Sequence, residues 1–239
     1  MPIPILMYHN IAPVPPDIER QRSLYVPPRL FARQMGMLRM LGYRGLSMTD
    51  ALPYLRGERR GRVAVITLDD GYEDNLHNAL PVLQRNGFSA TCYAVSDTLG
   101  SYNEWDADKL GIRKTIMSPA QLREWRDGGM EVGAHTRSHP HLTQCNDTQL
   151  HDELEGGKAA LEDVLGAVVT QFCYPYGYLD ERVVAATRNA GFVAATTTDR
   201  GRARSGDDLL RLPRIKIARS HYLPLFAGRA LTAYMDKRR

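Results

Sequence analysis

Two short polar segments give this chain the residue types of a metal-dependent hydrolase. Asp69 and Asp70 directly follow an apolar run with the pattern of a buried strand, and His135 and His139 come just after a second such run. Two histidines four residues apart, with one carboxylate, can supply three ligands to a divalent metal and leave a position open for water. The adjacent aspartate is then free to act as a base on that water. Each segment alone is weak evidence, but together they predict a hydrolytic metal site.

The elements that must position these residues alternate between strand-like and helix-like patterns. Predicted strands cover 3–8, 63–68, 90–95, 131–134, 168–174, 192–196 and 209–217, and predicted helices cover 27–41, 71–84, 147–165, 180–189 and 223–235. A further helix begins after Ser118, an N-cap residue followed by proline. Such alternation is typical of a parallel sheet with right-handed crossovers, and about seven units in one domain predict a closed or nearly closed α/β barrel.

The candidate residues follow the carboxyl ends of predicted strands, where (β/α) barrels place their active sites. An open doubly wound sheet is the alternative, but no glycine-rich phosphate loop follows an early strand to support it. The long irregular segment 96–117, which contains Trp105, is either a functional loop or a structural flap.

Length and composition are those of one α/β domain over residues 1–239. Hydrophobic residues make up 43% of the chain, enough for a sizeable core, and charged residues make up an ordinary 24%. The net charge of +4 comes without a basic stripe interleaved with aromatic residues, so we expect no nucleic-acid partner. The oligomeric state is left open by the sequence.

The cysteine pattern and the N-terminal segment bear on the cellular compartment. Cys92, Cys145 and Cys173 are odd in number and widely spaced, which favours reduced thiols over a disulfide framework. No basic segment followed by a long apolar one opens the sequence, and no apolar run approaches the length of a membrane span. We therefore expect a cytoplasmic protein without a membrane span, although removal of a leader would leave the same sequence.

Three motifs in these segments resemble those of the polysaccharide deacetylase (NodB-homology, carbohydrate esterase) family. Residues 67–71, Thr-Leu-Asp-Asp-Gly, resemble its first motif, residues 135–140 its second, and residues 172–177, Phe-Cys-Tyr-Pro-Tyr-Gly, its third. They occur in the family order. Residues 4–9 also resemble the opening of the exopolysaccharide branch, which includes poly-N-acetylglucosamine deacetylases. The resemblance covers most of the chain.

The resemblance implies a distorted (β/α) barrel with about seven parallel strands that hydrolyses an N- or O-acetyl group of a carbohydrate. It implies Asp69 as the general base and Asp70, His135 and His139 as metal ligands. It also implies a backbone N–H near Tyr176 as a donor to the oxyanion. Two imidazoles and a carboxylate favour zinc, with cobalt, nickel and manganese as further options.

Two departures from the family pattern affect the acid and base side of the site. Cys173 stands where the common third motif has an arginine that orients the base, so we predict that Arg214 replaces it; the alternative is a surface arginine beside the last strand. The usual C-terminal Leu-x-His motif is not evident. We predict that His9, at the end of the first strand, is the general acid. The alternatives are a plain strand-end histidine at that position, or His221 in the same role.

Aromatic residues near the motifs are candidates for contact with sugar rings. Tyr8, Trp105, Tyr174 and Tyr176 could stack on a sugar, although each residue type more often serves packing. The motif position favours Tyr176 among them.

Other functions remain compatible with the sequence. One is a deacylase or deformylase of a small or lipid-linked sugar, and another is a metal-binding or sugar-binding module without catalysis. Asp69 argues against the module, because a purely structural site needs only the ligands. A metal-dependent phosphoesterase would need a second metal site, and the sequence shows no further ligands for one.

Overall fold

Seven parallel strands close into a barrel in the computed structural model of the protein, which describes residues 2–16, 18 and 20–236. The described residues form eight strands, seven in the ring and β2 beside it: β1 (Ile5–Tyr8), β2 (Arg44–Leu46), β3 (Val63–Leu68), β4 (Thr91–Ala94), β5 (Glu131–Ala134), β6 (Gln171–Cys173), β7 (Ala194–Arg200) and β8 (Leu212–Lys216). Around the barrel they follow β1-β8-β7-β6-β5-β4-β3, and β3 pairs in parallel with β1 to close the ring. β2 pairs with the first half of β3, ahead of β4. The predicted (β/α) barrel of about seven strands is confirmed.

Helices pack around this barrel between the strands. They are α1 (Pro28–Met40), α2 (Met48–Leu55), α3 (Leu80–Asn86), α4 (Ala107–Leu110), α5 (Pro119–Asp127), α6 (Asp147–His151), α7 (Gly157–Leu165), α8 (Glu181–Asn189) and α9 (Leu223–Leu231). The predicted start of α5 is confirmed: Ser118 Oγ accepts from the N–H of Gln121 at 3.3 Å, and the Gln121 side chain accepts from the N–H of Ser118 at 2.8 Å. Within the described part of the chain, none of the helices combines the length and apolarity needed to cross a membrane.

Strand residues alternate between the barrel interior and the layer beneath the helices. In β3, Val63 and Val65 belong to the interior cluster, whereas Ile66 and Leu68 pack in the outer layer. Because residues two apart share a face of a strand, Asp69 continues the inward row of β3. The same parity directs His9 inward after β1 and both Arg214 and Lys216 inward along β8. Three inward rows on the neighbouring strands β3, β1 and β8 therefore lead to the same end of the barrel.

Some elements differ from the sequence prediction. β2 and α2 were not predicted, because β2 has only three residues and α2 contains Pro53. The two helices predicted over 71–84 and 147–165 each contain a π-helical segment, at Asn75–Ala79 and Asp152–Gly156. Such segments are a single turn of i→i+5 hydrogen bonds within a longer helix, too short for the apolar pattern to distinguish from α-helix.

Candidate metal centre and active site

A cavity of about 470 Å³ lies at the carboxyl ends of the strands. All of the predicted site residues except Tyr8 contribute to its walls, namely His9, Asp69, Asp70, Trp105, His135, His139, Tyr174, Tyr176 and Arg214. Residues from β1, β3, β4, β5, β6 and β8 or the loops after them thus meet at one place, although 205 positions separate His9 from Arg214. The barrel is what brings them together.

Asp70, His135 and His139 form a compact set of metal-type donors. Their donor atoms all lie within 4.8 Å of one another. Oδ1 of Asp70 is 3.4 Å from Nε2 of His135 and 3.6 Å from Nε2 of His139. All three side chains are buried, with at most 6% of each residue exposed.

The ring of His135 is held so that one nitrogen faces this set. Its Nδ1 lies 2.7 Å from the carbonyl oxygen of Cys173, which can only accept, so Nδ1 carries the proton and donates. In that tautomer Nε2 has a free lone pair directed at the position between the donors, which is the arrangement of metal-ligating histidines. Two imidazole nitrogens and one carboxylate oxygen at these separations fit a divalent cation such as zinc.

The charges of this set perturb one another strongly. Burial raises the pKa of Asp70, but the contact with His135 and the other nearby histidines outweighs it and leaves that pKa well below its ordinary value. Burial lowers the pKa of His139 to about 3, and the charge of His135 adds to the effect. Burial lowers the pKa of His135, but Cys173 and Asp70 outweigh it and leave that pKa raised. A cation bound by this set would therefore displace a proton from His135, as metal binding does at histidine ligands.

Left-handed backbone conformations are concentrated at this site. Among the described residues, the non-glycine positions with positive φ are Gln21, Asp70, Thr136, His139 and Tyr176. Four of the five belong to the three motifs. Asp70 has φ 76° and His139 has φ 64°, in a region that costs residues with a Cβ roughly 1 kcal/mol or more. The fold keeps these conformations because they turn consecutive motif residues toward different partners.

The turn that carries the histidines is fixed by two residues outside the ligand set. Thr136 Oγ1 accepts from the N–H of His139 at 3.0 Å, which brings the second histidine back beside the first. Glu153, from the π-helical segment, accepts from the N–H groups of Arg137 at 2.8 Å and Ser138 at 3.0 Å. Glu153 was not among the predicted site residues, and no local signal marks it, because its role depends on a contact across 15 or more residues.

Asp69 makes a buried two-point contact with Arg214. Nη1 of Arg214 donates to Oδ1 of Asp69 at 2.7 Å, and Nη2 donates to Oδ2 at 2.8 Å. Burial alone raises the pKa of Asp69, but the charge of Arg214 overcomes it, with a contribution from His9, so the pKa is lowered. Asp69 is therefore ionised at neutral pH although it is 3% exposed.

The guanidinium of Arg214 has a partner for each of its nitrogens. Its Nε donates to the carbonyl of Thr197 at 2.8 Å, and its Nη1 also donates to Thr67 Oγ1 at 3.1 Å. Its Nη2 lies 3.1 Å from Sγ of Cys173. The small side chain at position 173 thus leaves room for an arginine that reaches the base from β8, which is the substitution expected from the departure in the third motif.

His9 and His221 occupy different positions in the cavity. Nε2 of His9 lies 3.9 Å from Oδ2 of Asp69, beyond hydrogen-bond distance but within reach of one shared substrate. Burial lowers the pKa of His9, while the charges of Asp69 and Asp70 oppose this. Nδ1 of His221 accepts from the N–H of Ala218 at 3.1 Å, and burial lowers its pKa to about 4. The contact with Asp69 favours His9 over His221 as the residue beside the reacting atoms.

Aromatic rings surround the donor set on one side. Trp105 stacks on His139 with ring centroids 4.6 Å apart, and Tyr176 meets the same imidazole edge-on at 4.6 Å. His141 stacks on Tyr176 at 4.2 Å, and Tyr178 stacks on His141 at 5.3 Å. His141 and Tyr178 were not among the predicted site residues, because nothing in their spacing distinguishes them from surface residues.

Tyr8 and Tyr174 correct the sequence prediction. Tyr8 is fully buried, and its hydroxyl donates to Oε1 of Gln34 at 2.8 Å. Tyr174 is 1% exposed, its ring packs edge-on against Phe172 at 5.1 Å, and its hydroxyl donates to the carbonyl of Leu210 at 3.0 Å. Tyr174 thus borders the cavity, but a ring buried and bonded in this way offers no face for a sugar to stack on. It belongs to the outer layer of the core with Phe172, whereas Cys173 between them points into the barrel.

Comparisons with known proteins agree on one family. Residues 56–195 match the family model described as polysaccharide deacetylase. The chain is 27% identical over 236 residues to YxkH of Bacillus subtilis strain 168, which is named as a polysaccharide deacetylase, and the match spans 98% of this chain and 76% of that protein. It is 31% identical to the chitooligosaccharide deacetylase of Bradyrhizobium strain ANU 289 over 67% of this chain and 71% of that protein. The structure is similar to the Streptococcus pyogenes deacetylase PplD in complex with acetate, with TM-score 0.84, 25% identity and coverage of 96% and 98% of the two chains.

Proposed function

The chain belongs to the polysaccharide deacetylase family, and from that premise we propose that it removes acetyl groups from a carbohydrate with the help of a divalent cation held by Asp70, His135 and His139. One observation carries this proposal. A carboxylate that is not needed as a ligand, Asp69, is kept ionised by Arg214 on the wall of the cavity that holds the donor set. A site that only binds a metal or a sugar has no use for that buried pair.

The cation would supply an activated water molecule of lowered pKa and would polarise the acetyl carbonyl. Zinc is the ion we expect from the ligand types, and cobalt, nickel or manganese would also fit them. Histidine and carboxylate ligands at these positions leave Asp69 and His9 free to move protons.

Asp69 and His9 divide the proton transfers of amide hydrolysis between them. Asp69 takes a proton from water as the water oxygen bonds to the acetyl carbon. When the C–N bond breaks, protonated His9 gives its proton to the departing nitrogen, which leaves as an amine while acetate remains. The proton on Asp69 then passes to solvent, and His9 is reprotonated from solvent. Arg214 positions the base in this sequence and does not exchange protons itself.

Other residues of the cavity would bind the substrate. We assign to the backbone N–H near Tyr176 the stabilisation of the oxyanion, and to the rings of Trp105 and Tyr176 contact with the sugar. Asp106 lies on the same wall, where burial raises its pKa to about 6, and Asn103 donates to it. The proposed reaction assigns no proton transfer to Asp106.

The proposed function is tested by acetate release. The full chain, purified and loaded with zinc, is incubated with N-acetylglucosamine oligomers and with the matching N-formyl oligomers. We expect acetate release from the acetylated sugars that increases in proportion to enzyme. A formyl preference would instead favour the deformylase, and absence of hydrolysis of any acylated sugar by the zinc-loaded protein would refute the proposal.

The pH dependence should identify the general acid. His9 must be protonated to donate, so kcat/KM is expected to fall as pH rises through its pKa, which burial lowers. Replacing His9 with glutamine should slow acetate release by about 100-fold and remove this alkaline limb, with zinc content unchanged. His221→Gln is the matched control and should keep the limb. If His221→Gln removes it and His9→Gln does not, the acid is His221.

A further inference from the structure

A second group of charged side chains lines the cavity, and the proposed reaction does not use it. Arg200, Lys216 and Arg229 are basic residues from the end of β7, the end of β8 and α9, and His221 lies among them. We call Arg200, Lys216 and Arg229 the basic cluster. No residue of this cluster was singled out from the sequence.

Two members of the basic cluster lie close enough to the histidines of the cavity to act on them. After burial, the charges of Arg229 and Lys216 are the next causes that lower the pKa of His221. The charge of Lys216 also reaches His9, whose pKa it lowers. Lys216 of the basic cluster therefore acts on the residue that we propose as the general acid.

The basic cluster has no acidic partner in the described part of the chain. None of the ion pairs among residues 2–16, 18 and 20–236 includes Arg200, Lys216 or Arg229. Nε of Arg229 is moreover buried without a hydrogen-bond acceptor. The basic side chains leave positive charge without a counter-charge on the cavity wall, and the buried donor without an acceptor lowers stability. An anion in the cavity would relieve both.

We propose that the basic cluster binds an anionic group, a phosphate or a carboxylate, that the substrate carries close to the acetyl group being removed. Lys216 lies two residues beyond Arg214 on the same face of β8, a step of about 6.6 Å along the strand. That step is about the length of a sugar ring, so the anion would sit on the reacting sugar or on its neighbour. Two guanidinium groups and an ammonium suit the several acceptor oxygens of either group.

This inference rests on the proposed function and names the substrate class, so the test separates the two. Substrates are compared in matched pairs: N-acetylglucosamine 6-phosphate against N-acetylglucosamine, and the disaccharide of N-acetylglucosamine and N-acetylmuramic acid against N,N′-diacetylchitobiose. The first pair adds a phosphate and the second adds a carboxylate. We expect kcat/KM for at least one anionic substrate to exceed that of its neutral partner about tenfold, and the pair that shows it identifies the anion.

Charge-removing variants connect that preference to the basic cluster. In Lys216→Gln and in Arg229→Gln the ratio of kcat/KM between anionic and neutral substrates should fall to about one. Arg85→Gln removes the same charge from an exposed position outside the cavity and should keep the ratio. The preference should also weaken when salt is raised to about 0.5 M. Equal kcat/KM for anionic and neutral substrates, or a ratio that survives both cluster variants, would overturn the inference and leave the proposed function standing.

Binding provides a readout that does not depend on turnover. With the Asp69→Asn protein, calorimetric Kd values for the same four sugars should show the anionic preference, and adding Lys216→Gln should abolish it. If binding shows the preference while the parent protein hydrolyses none of the sugars, the anion site stands and the proposed reaction fails. Equal Kd values within each pair would refute the anion site regardless of activity.

Discussion

Replacing His135 with alanine is expected to remove the bound metal ion and, with it, all measurable acetate release. His135 supplies one of three buried donor atoms, and among the described residues no fourth histidine, cysteine, aspartate or glutamate belongs to that group. Two remaining ligands should bind zinc at least about 100-fold more weakly. The measurement is zinc per chain after dialysis, together with acetate release. Chelation of the unaltered protein should have the same effect. Added zinc should then restore activity to the chelated unaltered protein but not to His135→Ala.

A second histidine provides the control for this variant. His77 is 61% exposed at its side chain and lies outside the cavity, so His77→Ala makes the same chemical change without touching the donor set. Its zinc content and activity should equal those of the unaltered protein. Zinc retained at full occupancy in His135→Ala would show that the donors are not the metal site, and the proposal would lose its basis.

Replacing Asp69 with asparagine should abolish hydrolysis while the metal stays bound. The amide has the same shape but cannot take a proton, and loss of a general base slows turnover by about 1,000-fold. Asp69 is not among the three donors, so zinc per chain should not change. These two variants therefore separate the parts of the site, because one loses the metal and the other loses only the proton acceptor.

Stability must be measured alongside activity for this second variant. The substitution leaves the charge of Arg214 buried beside a neutral group, which lowers the free energy of unfolding by roughly 3 kcal/mol. Thermal unfolding establishes that the assayed protein is folded. Asp163→Asn, at an exposed position of α7, is the matched control and should keep both stability and activity. Activity in Asp69→Asn within tenfold of the unaltered protein would exclude Asp69 as the base.

Strand parity explains how much of the site the sequence could predict. Val63, Val65, Thr67 and Asp69 share one face, so a buried strand that ends in this pattern places its last carboxylate inside the barrel. The contact of Arg214 with Asp69 was predicted because Cys173 replaces the arginine of the third motif, and a buried carboxylate needs another cation in its place. The same parity, applied to β6, would have placed Tyr174 in the outer layer with Phe172.

Features that depend on distant contacts were beyond the sequence. Glu153 orients the histidine turn from a π-helical segment, and the left-handed conformation of His139 is held by Thr136 and by packing against Trp105. Neither follows from local propensity, which disfavours a histidine at positive φ. The basic cluster also escaped notice, because its members come from three elements that only the closed barrel brings together.

β1 lies between β3 and β8 and closes the ring, so the complete site forms only when the first and last strands of the chain pair with each other. Every proposed ligand of the cation precedes residue 140, so a chain that ends before β8 still contains all of them. Such a chain lacks Arg214, and without that charge burial would raise the pKa of Asp69 and favour its neutral form. Capacity to hold a cation thus resides in one arc of the barrel, whereas the capacity to turn over substrate arises only when the first and last strands meet.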